Sequence, residues 1–337
     1  MSDDHGVLDS QELINLHAFH LENCKPYARI IDMIYPSWDD PKRVNEIPPM
    51  PVRFFKEYDL KTGPQESEFK LMVSSGTSGI RSRIFLSRSN GIAQQKALMN
   101  LGREVLGSAR LPMLIMDTVS VQDSSKGFSA RAAGINGFKL FAKRSKFILD
   151  ESGELDQSVI DSFAGANSFF VFGFTWVMWG ILCELNNQNR TFFGESDVTV
   201  VHGGGWKKLE GTGVSKKDFK ALAIKVFGPN TRVVDYYGMI EQTGSIYFEC
   251  EDGYFHDTEY GSVVIRNPNT LSYAPDGEIG LIQVNSILPR SYPGHSLLTE
   301  DLGRRWVTRC DCGLDTPRFK VDGRVKMVDV RGCSDAT

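Results

Sequence analysis

Apolar and polar positions along the chain fall into two rhythms. From Asp9 to Asn23, Leu13, Leu16 and Leu21 recur on one face and Asp9 and Glu12 are spaced as a capping box, which predicts an amphipathic helix. His17 and His20 accompany that stripe and are read as packing or surface residues, without chemistry. The proline-rich run Ile47-Pro48-Pro49-Met50-Pro51 enforces extended chain leading to Phe54-Phe55-Lys56. Further on, Asn90 to Leu106 reads as a helix and Pro112 to Asp117 as a short strand ending in an acid. The alternation then repeats, with a buried strand at Ser168 to Gly173, a helix at Trp176 to Leu185 and a strand at Val198 to Val201. Phe219, Leu222, Ala223, Val226 and Phe227 sit at helical spacing between Ser215 and a Gly228-Pro229 stop, and Val233 to Tyr237 supplies a strand that closes on Gly238. Alternating strands and helices whose strand ends meet glycine or polar residues predict an α/β core over 1–260, with its ligand site at the carboxyl edge of the sheet.

The rhythm changes at Gly261. Ser262 to Ile265 and Gly280 to Val284 are short strands separated by turn residues, which predicts a smaller β-rich subdomain over 261–322. No internal repeat and no low-complexity segment interrupts either region.

Composition narrows the partners. A chain of 337 residues with 41% hydrophobic content can bury a proper core. Lys+Arg total 38 against Asp+Glu 42, for a net charge of -4, so nothing points to nucleic acid. That balance suits a small or acyl substrate, and, since no apolar run reaches membrane-spanning length and the chain opens Met1-Ser2-Asp3-Asp4-His5, a cytoplasmic location is expected.

Candidate chemistry begins where the apolar run Leu71 to Val73 gives way to Ser74-Ser75-Gly76-Thr77-Ser78-Gly79. Gly76 and Gly79 can turn backbone amides toward an anion, the hydroxyls add short donors, and Arg81 and Arg83 bring positive charge. The loop reads as a phosphate cradle or as a plain Ser/Gly turn, and it is neither a Walker loop nor a dinucleotide fingerprint. Two further strand ends carry polar groups: Gly203-Gly204-Gly205, and Tyr237-Gly238-Met239-Ile240-Glu241, which sets an aromatic ring and a carboxylate side by side. Six cysteines in a chain this long do not suggest a disulfide scaffold. Cys250, His256, Cys310 and Cys312 offer the donors of a closed tetrahedral zinc site or are buried or free thiols, while Cys24 and Cys183 look incidental.

The order of these motifs, completed by Thr299-Glu300-Asp301 and Gly323-Arg324, resembles the adenylate-forming enzymes along most of the chain. Within them it resembles the acyl-protein synthetase of bacterial luminescence operons, and more distantly the phenylacetate-CoA ligases. The likeness to the former is carried by His202-Gly203-Gly204-Gly205-Trp206-Lys207-Lys208, by Tyr237 to Gly244 and by the proline-rich approach to Phe54-Phe55-Lys56. It implies that Ser74 to Gly79 hold ATP phosphates, Gly203 to Gly205 border the adenine, Tyr237 stacks on it and Glu241 holds magnesium. Asp301 would accept from the ribose hydroxyls, Arg324 would contact the same nucleotide and Lys326 would match the hinge position, leaving 323–337 as a truncated hinge and tail. The carboxy-terminal domain with its catalytic lysine is expected to be absent. Cys333 matches the tail cysteine that receives the acyl group before a partner, such as an acyl reductase, takes it.

Two departures stand out. Gly79 is followed by Ile80-Arg81-Ser82-Arg83 where the superfamily has a lysine, so an arginine must serve, and Ile240 replaces a common threonine before the magnesium glutamate. Two rival readings therefore stay open: a ligase that passes the adenylate to coenzyme A or a carrier protein, and a nucleotide-binding partner subunit without catalysis. Phe169, Phe170, Phe172, Phe174, Trp176, Trp179 and Trp206 either line an acyl or aryl pocket or form core.

Overall fold

The computed structural model describes residues 8–63, 69–74, 81–123, 129–190, 195–205 and 214–325. In chain order, the first stretch holds α1 (Ser10–Asn23), α2 (Lys25–Ile34), β1 (Met50–Pro51) and α3 (Phe54–Glu57). Then come β2 (Phe69–Val73), β3 (Arg83–Ser87), α4 (Arg88–Leu106), β4 (Leu111–Thr118), α5 (Ala130–Phe138) and β5 (Ala142–Leu149). The middle continues with α6 (Gln157–Phe163), β6 (Ser168–Phe174), α7 (Thr175–Asn187), β7 (Asp197–Gly203), α8 (Lys216–Phe227), β8 (Thr231–Tyr237) and β9 (Tyr247–Phe248). The last stretch is all strand: β10 (Phe255–His256), β11 (Gly261–Arg266), β12 (Gly280–Ser286), β13 (Ser296–Trp306) and β14 (Arg318–Arg324).

One sheet has the order β5-β4-β6-β7-β8-β9, parallel except for its last pair. Helices cover both of its faces, which is why its central strands β4 and β6 read as apolar runs, while the edge strand β5 carries exposed Lys143 and Arg144. Leu114, Val171 and Val200 pack with α7 and α8 on one side, while Met113, Phe170, Phe172 and Val201 pack with α4 and α5 on the other. Caps fix the helix starts. Asp9 accepts from the Glu12 amide to begin α1, and Ser215 and Asp218 form a reciprocal capping box on α8.

The second sheet, β10-β14-β13-β12-β11, is antiparallel, and β1 adds to β13 in parallel. It recruits the first stretch of the chain as its cover: Tyr27, Ile30, Met50 and Phe55 share a core with Val263, Ile265, Val284, Leu297 and Phe319. Polar groups are buried within it as well. Arg266, 2% exposed, donates from Nε to Gln283 Oε1 at 2.6 Å, and Gln283 Nε2 donates to Ser296 Oγ at 3.0 Å. The expected α/β architecture with a smaller β-rich part is therefore what the chain forms. Among the described residues no helix is long and apolar enough to cross a membrane.

β2 and β3 form a separate hairpin beside α4. Its neck is closed by two bonds, Ser74 N–H to Ser82 O at 3.1 Å and Ser82 N–H to Ser74 Oγ at 3.0 Å. Ser75, Gly76, Thr77, Ser78 and Gly79, which follow that neck, lie outside the described residues, as do Trp206, Lys326 and Cys333.

Candidate functional site

The site is assembled where the two sheets meet. At the end of β8, strand alternation sends Tyr236 toward α5 and Tyr237 toward the antiparallel sheet. Tyr237 Oη donates to Asp301 Oδ2 at 2.9 Å. Asp301 and Arg324 face each other across the β13–β14 ladder, and their Oδ1 and Nε lie 3.3 Å apart. Arg324 also pairs with Glu300 at 2.9 Å. Burial raises the Tyr237 phenol well above its ordinary value, with the Asp301 charge adding to the effect, so the hydroxyl stays a neutral donor.

Past Gly238, Ile240 to Gln242 form one 3-10 turn that carries Glu241, which is 5% exposed. Gln242 anchors the turn by donating to Val284 O at 3.0 Å and Gly294 O at 2.8 Å, both in the antiparallel part. Burial pushes the Glu241 carboxyl up; a hydrogen bond from the Ser82 hydroxyl, its own backbone amide and the charges of Lys56 and Arg324 pull the other way. The sequence offers Lys56 only within the Phe54-Phe55-Lys56 approach and gives Ser82 no role of its own. Ser82 sits just past a loop read for its glycines, and Lys56 reaches the site only through the packing of α3 on β3.

The glycines at the end of β7 answer to sterics. A Cβ at Gly203 would lie 2.4 Å from the Tyr236 ring and one at Gly204 2.4 Å from Phe174, and Gly204 and Gly205 adopt φ of +84° and +75°. Behind them the Thr175 hydroxyl donates to Gly203 O at 3.0 Å. His202 is buried against Asp235, and burial lowers its pKa.

Of the two arginines beyond the hairpin tip, Arg83 is engaged by Asp59 at 2.7 Å and by the Lys56 carbonyl at 3.2 Å, whereas Arg81 is exposed. Part of the aromatic run is core, while Phe174 and Trp179 are part-buried. Phe169, Phe170 and Phe172 are at most 1% exposed inside the parallel sheet, and Trp176 faces solvent at 42%.

The four residues with metal-ligand chemistry do come together. Cys250, in the turn between β9 and β10, His256 on β10, and Cys310 and Cys312 in the β13–β14 turn place one donor atom each within 4.8 Å of one another. Cys250 Sγ and Cys310 Sγ are 4.0 Å apart, and Cys312 Sγ is 3.5 Å from His256 Nε2. Tetrahedral bonds to zinc of about 2.3 Å for sulfur and 2.0 Å for nitrogen would set these spacings near 3.8 and 3.5 Å. The other ring nitrogen, His256 Nδ1, meets Thr316 Oγ1 at 3.1 Å, which orients the imidazole. The cluster can hold a metal ion.

The chain is 24% identical over 364 residues to the long-chain-fatty-acid–luciferin-component ligase of Vibrio harveyi, covering 97% of this chain and 86% of that protein. The ligase of the same name from Aliivibrio fischeri is 24% identical over 282 residues, covering 79% of this chain and 71% of that protein. A 2-hydroxyisobutyryl-CoA ligase solved with its acyl-AMP and CoA shares the fold at a TM-score of 0.71 and 16% identity, over 96% of this chain and 75% of that one. An ATP-bound RpMatB-BxBclM chimera shares it at 0.51 and 18% identity, over 78% of this chain and 50% of that one. The model of the family described as acyl-protein synthetase, LuxE, matches residues 5–337, and the chain belongs to that family.

Proposed function

We propose that the protein uses ATP to activate a long-chain fatty acid as its acyl adenylate, loads the acyl group on Cys333 and delivers it to a partner such as an acyl reductase. The observation that carries this reading is the convergence of Tyr237, Asp301, Arg324 and Glu241, from separate segments, beside the neck of the Ser/Gly-rich hairpin. The fatty acid is taken from the names of the two ligases at 24% identity.

In this reading an oxygen of the acid attacks the α-phosphorus of ATP, and the bond to pyrophosphate breaks. No base is needed because a carboxylic acid is ionised at neutral pH, so positioning and charge carry the step. Asp301, held by Tyr237 and Arg324, offers acceptor oxygens to the ribose diol, and Gly203 to Gly205 leave room for the adenine. Tyr237 presents its ring to the same base. Ser74 to Gly79 cradle the phosphates; Arg81 is their cation, since Arg83 is held by Asp59. One buried carboxylate beside a phosphate loop suits magnesium, which takes most of its ligands from phosphates and water. Held by Glu241, that ion would neutralise charge on the departing pyrophosphate. The Cys333 thiolate then attacks the acyl carbon, AMP leaves, and Lys326 lies at the hinge before it. The cysteine and histidine cluster is assigned a structural zinc that ties the β9–β10 and β13–β14 turns together.

Incubation with magnesium, ATP and a panel of labelled acids, followed by mass spectrometry, tests the reading. Pyrophosphate release and a hydroxylamine-sensitive label on Cys333, lost in Cys333→Ser, are expected. Release without protein label would move the acceptor to coenzyme A or a carrier protein, and no release from any acid would leave only nucleotide binding.

A further inference from the structure

Between the β2–β3 hairpin and helices α4 and α5 lies a cavity of about 550 Å³, within the range of small-molecule sites. Its floor combines buried Met72 and Leu98 with Gln94 and Thr243. Thr243 is two residues past Glu241 and its hydroxyl donates to Ile240 O at 2.9 Å, so the floor ends on the turn that carries the carboxylate. Leu86 and Gly91 form one wall, and the exposed side chains of Lys70 and Arg88 stand at the rim. The lining is thus apolar at depth and polar where it meets water.

One polar group interrupts the apolar floor. Gln94, 2% exposed, donates from Nε2 to Tyr292 Oη at 3.0 Å, while its Oε1 is buried with no hydrogen-bond partner among the described residues. An unmet buried amide oxygen is costly in a folded protein, and a group entering the cavity would satisfy it. A half-turn of the amide would let Tyr292 Oη donate to Oε1 and would turn Nε2 toward the cavity as a donor for a carboxylate.

We infer that this cavity seats the alkyl chain of the acid, with the carboxylate at the Gln94 and Thr243 end, and that Gly91 and Leu86 set the chain length accepted. The inference rests on the acid-activation reading above and adds where the chain lies and what measures it. Gly91 is the decisive position. A Cβ there would stand 3.4 Å from Leu86 Cδ2, an ordinary contact, so a larger side chain can enter the cavity without moving the backbone. Replacing a glycine inside α4 also favours the helix. Leu86 opposes it from β3, where truncation deepens the same space.

The test pairs two variants of the full chain, Gly91→Phe and Leu86→Ala. Pyrophosphate release with octanoic and hexadecanoic acids gives a long-to-short ratio of kcat/KM for each. Because each methylene contact in such a site is worth about tenfold or more, Gly91→Phe should lower the ratio at least about tenfold and Leu86→Ala should raise it. Opposite shifts cannot come from general destabilisation. Ratios that match the wild type in both variants would overturn the inference. Binding of a fluorescent polyene fatty acid without ATP reads the cavity separately from turnover. Probe bound by the wild type and weakened by Gly91→Phe supports the cavity even where no pyrophosphate appears, in which case the activation reading alone fails. Equal binding by both, or none by the wild type, overturns it.

Discussion

The two sheets solve the problem of burial differently. The middle of the parallel sheet is dry: Phe169 to Phe172, Val200 and Val201 fill its faces with hydrocarbon, and its buried polar residues Asp117, His202 and Asp235 stand toward the carboxyl ends of their strands, where Arg131 pairs with Asp117 and His202 with Asp235. The antiparallel sheet and the first stretch that covers it bury Arg266, Gln283, Asn285, Ser296, His17, His20 and His295, all at most 4% exposed. Those groups hold their places through specific hydrogen bonds. His17 Nδ1 meets Tyr27 Oη at 3.0 Å and His295 Nε2 at 3.1 Å, and His20 meets Thr62 Oγ1 at 2.8 Å and Pro289 O at 2.9 Å. The hydrocarbon side supplies area; the polar side supplies register and the side chains that complete the site. Stability and function should therefore fail from different sides of the molecule.

Acid should separate the two sides most strongly. Burial lowers His17 from 6.5 to about 4 and His20 from 6.5 to about 3, with the Asp40 charge and the Pro289 carbonyl opposing it only in part. Their neutral forms are favoured on folding, so the unfolded chain takes up the protons first. Stability is full above about pH 6.5 and falls as pH drops toward 4, by up to about 3 kcal/mol for each histidine. Hydrogen exchange across that range should open β11 to β13 before β6 and β7, and His20→Gln should make the pH slope shallower. Stability unchanged between pH 7 and 5 would contradict this.

Next in size, Arg266→Met would leave Gln283 Oε1 and the carbonyls of Asn45 and Leu271 without their donor. A loss of about 3–5 kcal/mol in denaturant unfolding is expected, against about 1 kcal/mol for Ile181→Val in the dry core. Comparable losses would erase the distinction between the cores. Glu241→Gln acts on the site instead: pyrophosphate release should fall about a hundredfold or more with no loss of melting temperature, because a neutral amide replaces a carboxylate that burial disfavours. A fall in both together would make Glu241 a structural residue. Smallest is Gly204→Ala, where the positive φ and the Phe174 ring should cost about 1–2 kcal/mol and raise KM for ATP. An unchanged KM would remove the adenine from that edge.

The same contrast explains what could be read beforehand. Strands β4 and β6 announce themselves as apolar runs, β7 and β8 by their paired valines and the glycines that follow, and α8 shows its cap and its stop in the residues themselves. β13 does not, because Glu300, Asp301, Arg304 and Arg305 interrupt it and each takes its partner from another segment. β2 and β3 are short and half exposed, so the loop between them was legible only as composition. The histidine pair on α1 was visible as part of a stripe; its burial is explained by His295, 278 positions further along. Cys250, His256, Cys310 and Cys312 were legible as donors, but their meeting depends on two turns being brought side by side by β10 and β14. Local pattern reports hydrocarbon well and partnership poorly.

Gln242 and Tyr237 have a mechanical consequence. Tyr237 belongs to the parallel sheet by its backbone and to β13 by its hydroxyl, and Gln242, five residues on, bonds to β12 and to the Gly294 carbonyl. Together they act as two rivets through overlapping plates. Shear between the plates must load these rivets before it disturbs either core, and Glu241 lies on the short span between them, so the carboxylate would register sliding that both cores survive.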